Sequence, residues 1–97
     1  MNIILSPEAS RQLERLFEYL ENEWSSETRR KFQQKFYRFA NTIKLMPNAF
    51  PLSKTFPGCR KCVVSKQTSI YYRILEEPDS VIQIITIWDN RMYFPTE

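Results

Sequence analysis

Two runs of apolar residues at helical spacing, separated by almost nothing, constrain this chain more than any other feature. Ala9, Leu13, Leu16, Phe17, Leu20 and Trp24 form the first, and Phe32, Phe36, Phe39, Ala40 and Ile43 the second. Recurrence at three and four residues places each set on one face of a helix. Ser6-Pro7-Glu8 opens the first helix. It offers a serine N-cap, a proline in the first turn and a carboxylate at the positive end of the helix dipole. That helix is expected to run to about Glu23. Ser25 or Ser26 caps the second, with Glu27 in its first turn. Pro47 disfavours helical geometry in the residue before it, so the second helix should stop near Met46. A couple of joining residues leave one arrangement, an antiparallel helical hairpin.

The remainder reads as strands. Asn2-Ile3-Ile4-Leu5 is a short apolar run ahead of the first helix. The segment from Pro47 to Gly58 holds three prolines and the only glycine, which marks a loop. Arg60 to Ser65 follows as a strand. Thr68 to Leu75 is another, with Ile70, Tyr72 and Ile74 on one side and Tyr71, Arg73 and Leu75 on the other. After the turn at residues 76–80, Val81 to Trp88 is almost continuously apolar, as a central strand covered on both faces would be. Asp89 to Glu97 is a polar and aromatic tail. The order β-α-α-β-β-β predicts an α+β domain over residues 1–97. Its helical hairpin should lie on one face of a mainly antiparallel four-stranded sheet.

Composition removes whole classes of chemistry. The chain has no histidine. Ser-His-Asp and Cys-His nucleophile systems and paired-histidine metal sites are therefore excluded. Cys59 and Cys62 form a lone C-x-x-C, and zinc would need about two further ligands. On a strand those two positions face opposite ways, which disfavours a local disulfide, so free thiols are expected. No metal or cofactor is expected. The lack of a long apolar run and of a basic, then apolar, leader predicts a cytoplasmic protein that does not enter a membrane.

Charge is segregated. Between Glu27 and Glu76 there is no acidic residue but there are eleven basic ones, whereas the whole chain carries only +3. A field of one sign steers polyanions or acidic proteins toward one region.

The element order and several local strings resemble the RelE/ParE superfamily of toxins from bacterial type II toxin–antitoxin systems, often labelled plasmid-stabilisation proteins. The resemblance covers nearly the whole length. It rests on the opening strand with Ser6-Pro7-Glu8-Ala9, on Met46-Pro47, on Arg60, on Ser69-Ile70-Tyr71-Tyr72-Arg73-Ile74, and on Ile84-Ile85-Thr86-Ile87-Trp88-Asp89-Asn90-Arg91. It implies a toxin neutralised by a cognate acidic antitoxin, forming a toxin–antitoxin hetero-oligomer. A partly disordered acidic segment can wrap a basic surface and fold on binding.

The resemblance implies two modes of action. RelE-like members cut messenger RNA on the ribosome, without histidine or metal, using arginine, lysine and tyrosine. Cationic groups there stabilise charge on the phosphorane oxygens while an acid and a base move protons. ParE-like members do no chemistry and poison DNA gyrase. A third outcome is a fold member that binds only its antitoxin. Carried over by position, Arg60, Arg91 and Tyr93 are the candidate catalytic residues, with Tyr72 as the alternative tyrosine. Lys54, Lys61, Lys66 and Arg73 are the candidate nucleic-acid or target-binding residues. The messenger-cleaving reading is the leading expectation. Ser69 departs from it, because the resemblance implies that nucleolytic members often hold an arginine or comparable polar group early in that strand.

Each candidate also has a plain structural role. Arg60 and Arg91 could form surface ion pairs with Asp89 or Glu76. Tyr72 alternates with Ile70 and Ile74 as a core residue does. Lys31, Lys35, Arg38 and Lys44 lie off the apolar stripe of their helix, as solvated cations do. A cationic sheet face left open opposite the helices is expected.

Overall fold

The computed structural model of the chain describes residues 1–90. Its elements are β1 (Asn2–Leu5), α1 (Pro7–Glu23), α2 (Ser26–Leu45), β2 (Arg60–Val63), β3 (Thr68–Leu75) and β4 (Val81–Asp89). They form the two-layer α+β fold that the sequence predicts. The four strands lie in the order β1-β4-β3-β2. β2, β3 and β4 are antiparallel neighbours, while β1 runs parallel to β4. A parallel pair needs a long crossover, and the helical hairpin begins that connection.

Local chemistry fixes the helix ends. The Ser6 Oγ accepts a hydrogen bond from the Ala9 N–H at 3.0 Å and donates to the Ile85 carbonyl at 2.9 Å. One side chain thus caps α1 and ties its start to the central strand. The Ser25 Oγ accepts from the Thr28 N–H at 3.0 Å and caps α2. Only Trp24 and Ser25 separate the two helices. The hairpin closes on aromatic edges, with Phe17 at 6.2 Å from Phe32 and 6.5 Å from Phe36, centroid to centroid.

The core lies between hairpin and sheet. Ala9, Phe36 and Ile43 meet Cys62, Ile70, Tyr72, Ile82, Ile84 and Ile87 there. Ile82, Ile84 and Ile87 cannot share a face on a regular strand, where the period is two. A register shift solves this: Tyr71 pairs with Thr86 but Tyr72 pairs with Ile84, leaving Ile85 as the extra residue. The bulge changes the phase of β4 and returns Ile87 to the helix side. Gln12 of α1 marks the spot, its Oε1 accepting from the Ile87 N–H at 2.8 Å and the Thr86 hydroxyl at 3.1 Å. The apolar continuity of residues 81–88 thus has a second cause besides two-sided cover.

Two expectations need correction. β2 stops at Val63 rather than Ser65. A turn begins at Ser65, whose Oγ accepts from the Gln67 N–H at 3.2 Å. Trp24 extends the apolar stripe of α1 in sequence, yet it is 69 % exposed, because it sits past the last helical turn as the C-cap. Among the described residues, no helix is long and apolar enough to cross a membrane.

Candidate functional site

Alternation along β2 and β3 sorts the candidate residues between two faces. Arg60 pairs with Tyr72 and Cys62 with Ile70. These four face the helices. Lys61 pairs with Tyr71 and Val63 with Ser69, and these face the other way. Arg73 shares that outer face with Gln83, its partner on β4.

The loop from Met46 to Cys59 wraps around the β2 edge and serves both faces. On the helix side, Phe50 stacks edge-on to Tyr72 at 6.4 Å and lies 6.5 Å from Phe39. The Tyr72 hydroxyl donates to the Pro47 carbonyl at 2.6 Å. The Arg60 guanidinium donates to the Phe50 carbonyl at 2.7 Å and lies 3.5 Å from that of Asn48. Arg60 and Tyr72 therefore staple the loop to the strand edge. Burial pushes the Tyr72 hydroxyl up to about 12, against the opposing pull of the Arg60 charge.

On the outer side, Phe56 covers Tyr71, with ring centres 4.9 Å apart. The Lys61 ammonium lies 5.8 Å from the Tyr71 centroid, within cation–π range. Tyr71 is fully buried as a result. The expected open face is in fact capped over its middle by its own loop. Arg73 stays exposed at the margin of the cap, its Nε donating to the Gln83 Oε1 at 2.9 Å. Lys54 is exposed within the capping loop, and Lys66 is exposed in the β2–β3 turn.

The C-x-x-C divides as strand geometry requires. Cys59 ends the loop just before β2 and Cys62 lies in the core, both free and buried. Burial raises both thiols, Cys62 to about 12, while the Arg73 charge partly offsets the rise at Cys59. Among the described residues, no group of three His, Cys, Asp or Glu could hold a metal.

The structure thus brings Lys61 and Arg73 to one face and puts Arg60 on the other. Arg91 and Tyr93 lie outside the described residues. Ser69, at the departure from the nucleolytic pattern, is fully buried and donates to the Asn90 Oδ1 at 2.8 Å. The basic middle of the sequence is likewise divided. Six of its eleven cations lie on α2 and the rest on or beside β2 and β3. One acid-free stretch spans both layers, so its charge does not converge on one surface.

Sequence reasoning did not anticipate a groove of about 870 Å³ between the hairpin bend and the end of the sheet. Leu16, Leu20, Trp24 and Phe32 line one wall, with Thr68 and Ile87 opposite. The available signal was the apolar stripe of α1, which runs on to a residue at the bend.

A family model described as the ParE toxin of type II toxin–antitoxin system, parDE, matches residues 3–94. No curated protein matches the chain. Among solved structures, the chain is similar to one titled "Chromosomal ParDE TA system from P. aeruginosa", with a TM-score of 0.76 and 18 % identity over 92 % of this chain and 95 % of that one. It is also similar to the YoeB/ParE toxin from Agrobacterium tumefaciens, with a TM-score of 0.68 and 14 % identity over 96 % of this chain and all of that one.

Proposed function

The chain belongs to the ParE toxin family of type II toxin–antitoxin systems, and from that premise we propose that it blocks DNA gyrase by binding it, restrained by a cognate antitoxin. The observation that carries this reading is the engagement of Arg60. Its guanidinium is committed to loop carbonyls on the helix side of the sheet. A cation acting on a phosphorane must point at the reacting phosphate, together with a proton-transfer group. Lys61 and Arg73 face away from Arg60 across the sheet, so these three cannot close on one phosphate. The burial of Ser69 points the same way, since that position is closed to substrate.

A second reading is ribosome-dependent cleavage of messenger RNA. Lys61 and Arg73 on one face favour it, with Arg91 and Tyr93 as the acting groups. Two assays run side by side separate the readings. In the first, the purified chain meets gyrase and relaxed plasmid; in the second, it meets ribosomes programmed with a defined message. Blocked supercoiling with intact message is the expected result. Message cut at the A-site codon with supercoiling unimpaired would establish the nuclease instead. The antitoxin is tested by co-expression with the product of the adjacent reading frame, which should co-purify and restore supercoiling.

A further inference from the structure

The cations of α2 fall into two groups. Arg29 and Arg30 are engaged by carboxylates, Arg29 with Glu21 at 3.0 Å and Arg30 with Glu27. Lys31, Lys35 and Arg38 join neither of the ion pairs found among the described residues. Lys31 and Arg38 are exposed and Lys35 is half-buried. At about 100° per residue these three fall within roughly 60° of one another around the helix, and they span about 10 Å of its axis. Phe32, Phe36, Phe39 and Ile43 point to the core roughly 100° away. The cations therefore form a row along the flank of the helix, clear of the packed face. Gln34, Asn41 and Thr42 border the row.

We infer that Lys31, Lys35 and Arg38 form a seat for the phosphate backbone of duplex DNA. Three properties of the row select this partner. Its members are all cationic, and Gln34, Asn41 and Thr42 beside them are polar, the residue types that contact phosphates. From Lys31 to Thr42 the row holds no exposed apolar side chain, Leu45 lying two turns beyond Arg38, whereas a protein interface needs a buried apolar or aromatic centre. It has no aromatic platform, whereas single strands are held by stacking on aromatic rings. A regular row of phosphates needs neither anchor nor platform. Glu27, one turn before Lys31, is engaged by Arg30, and the chain then holds no acidic residue until Glu76. Contact of this kind is independent of sequence and releases counterions. The inference goes beyond the gyrase reading and does not depend on it, since a chain that leaves gyrase untouched can still bind duplex.

The test uses the full chain and a fluorescent duplex of about 20 base pairs, with anisotropy read across a salt series. The wild-type chain should bind in low salt, with affinity falling as salt rises. The triple variant Lys31→Gln, Lys35→Gln, Arg38→Gln should bind more weakly, with a salt slope smaller by about 2–3. Lys31→Gln alone alters one exposed residue, so it tests the idea even if the triple variant folds poorly, and should reduce the slope by about 1. The pair Arg29→Gln, Arg30→Gln should change the slope less than the triple variant. Absence of duplex binding by the wild-type chain would overturn the inference, as would an unchanged slope in Lys31→Gln. Equally tight binding of polyglutamate or of single-stranded RNA would replace duplex DNA with another partner and overturn it too.

Discussion

Tyr71 and Tyr72 are neighbours in sequence and both are fully buried, yet they are buried by different means. Tyr72 faces the helices, inside a core supplied by both layers. Tyr71 faces outward and is covered by one short loop through Phe56 and Lys61. Cover from two helices is cooperative with the whole fold, while cover from a loop can open locally at lower cost. The inner face is therefore scaffold. The outer face is where a binding surface can adapt, and it carries Lys61 and Arg73.

Substitutions can sharpen or break this contrast. The largest effect is expected at Tyr72, where Tyr72→Ala should cost about 3–5 kcal/mol in denaturant unfolding. A loss below 1 kcal/mol would show that the inner face tolerates a cavity as the outer one does. Next comes Arg60→Met, which removes the charge-assisted donor to the loop carbonyls and should cost about 1.5–3 kcal/mol. Alkaline pH should follow. Ordinary thiol and phenol values are 9.0 and 10.0, whereas the folded chain holds the Cys62 and Tyr72 protons to about 12. Unfolded chains release these protons first, so the stability they contribute is complete below about pH 9 and is lost as pH rises toward 12. Urea midpoints should therefore fall between about pH 9 and pH 12, and Tyr72→Phe should flatten the fall. The smallest effect belongs to the outer face. Phe56→Ala should cost only about 1–2 kcal/mol, while exposing Cys59 to thiol reagents and leaving Cys62 protected. Equal labelling of both thiols would mean that the loop is no separate unit.

Much of this fold was legible in the chain because its signals are local. The serine caps, the two-residue helix junction and Pro47 each act over a few residues, and α1 and α2 end where those signals place them. Strand geometry likewise foretold that Cys59 and Cys62 stay free thiols. The bulge at Ile85 was not legible, since a run of apolar residues does not reveal a change of phase. Nor was the role of Arg60. Its position at the head of β2 could be read, but the carbonyls it holds come from ten and twelve residues earlier and are brought there by the folded loop. The same applies to the charge. Counting cations along the chain gave one basic block, while the fold assigns its parts to separate layers.

Arg60 is the point at which scaffold and chemistry make opposite demands, so its variants decide between them. The decisive measurement is gyrase inhibition by Arg60→Met, normalised to the folded fraction and set beside the wild-type chain. If Arg60 serves only to hold the loop, inhibition per folded molecule should stay within about twofold while the unfolding midpoint drops. A variant as stable as wild type whose inhibition has vanished would contradict this account and make Arg60 part of the contact with gyrase.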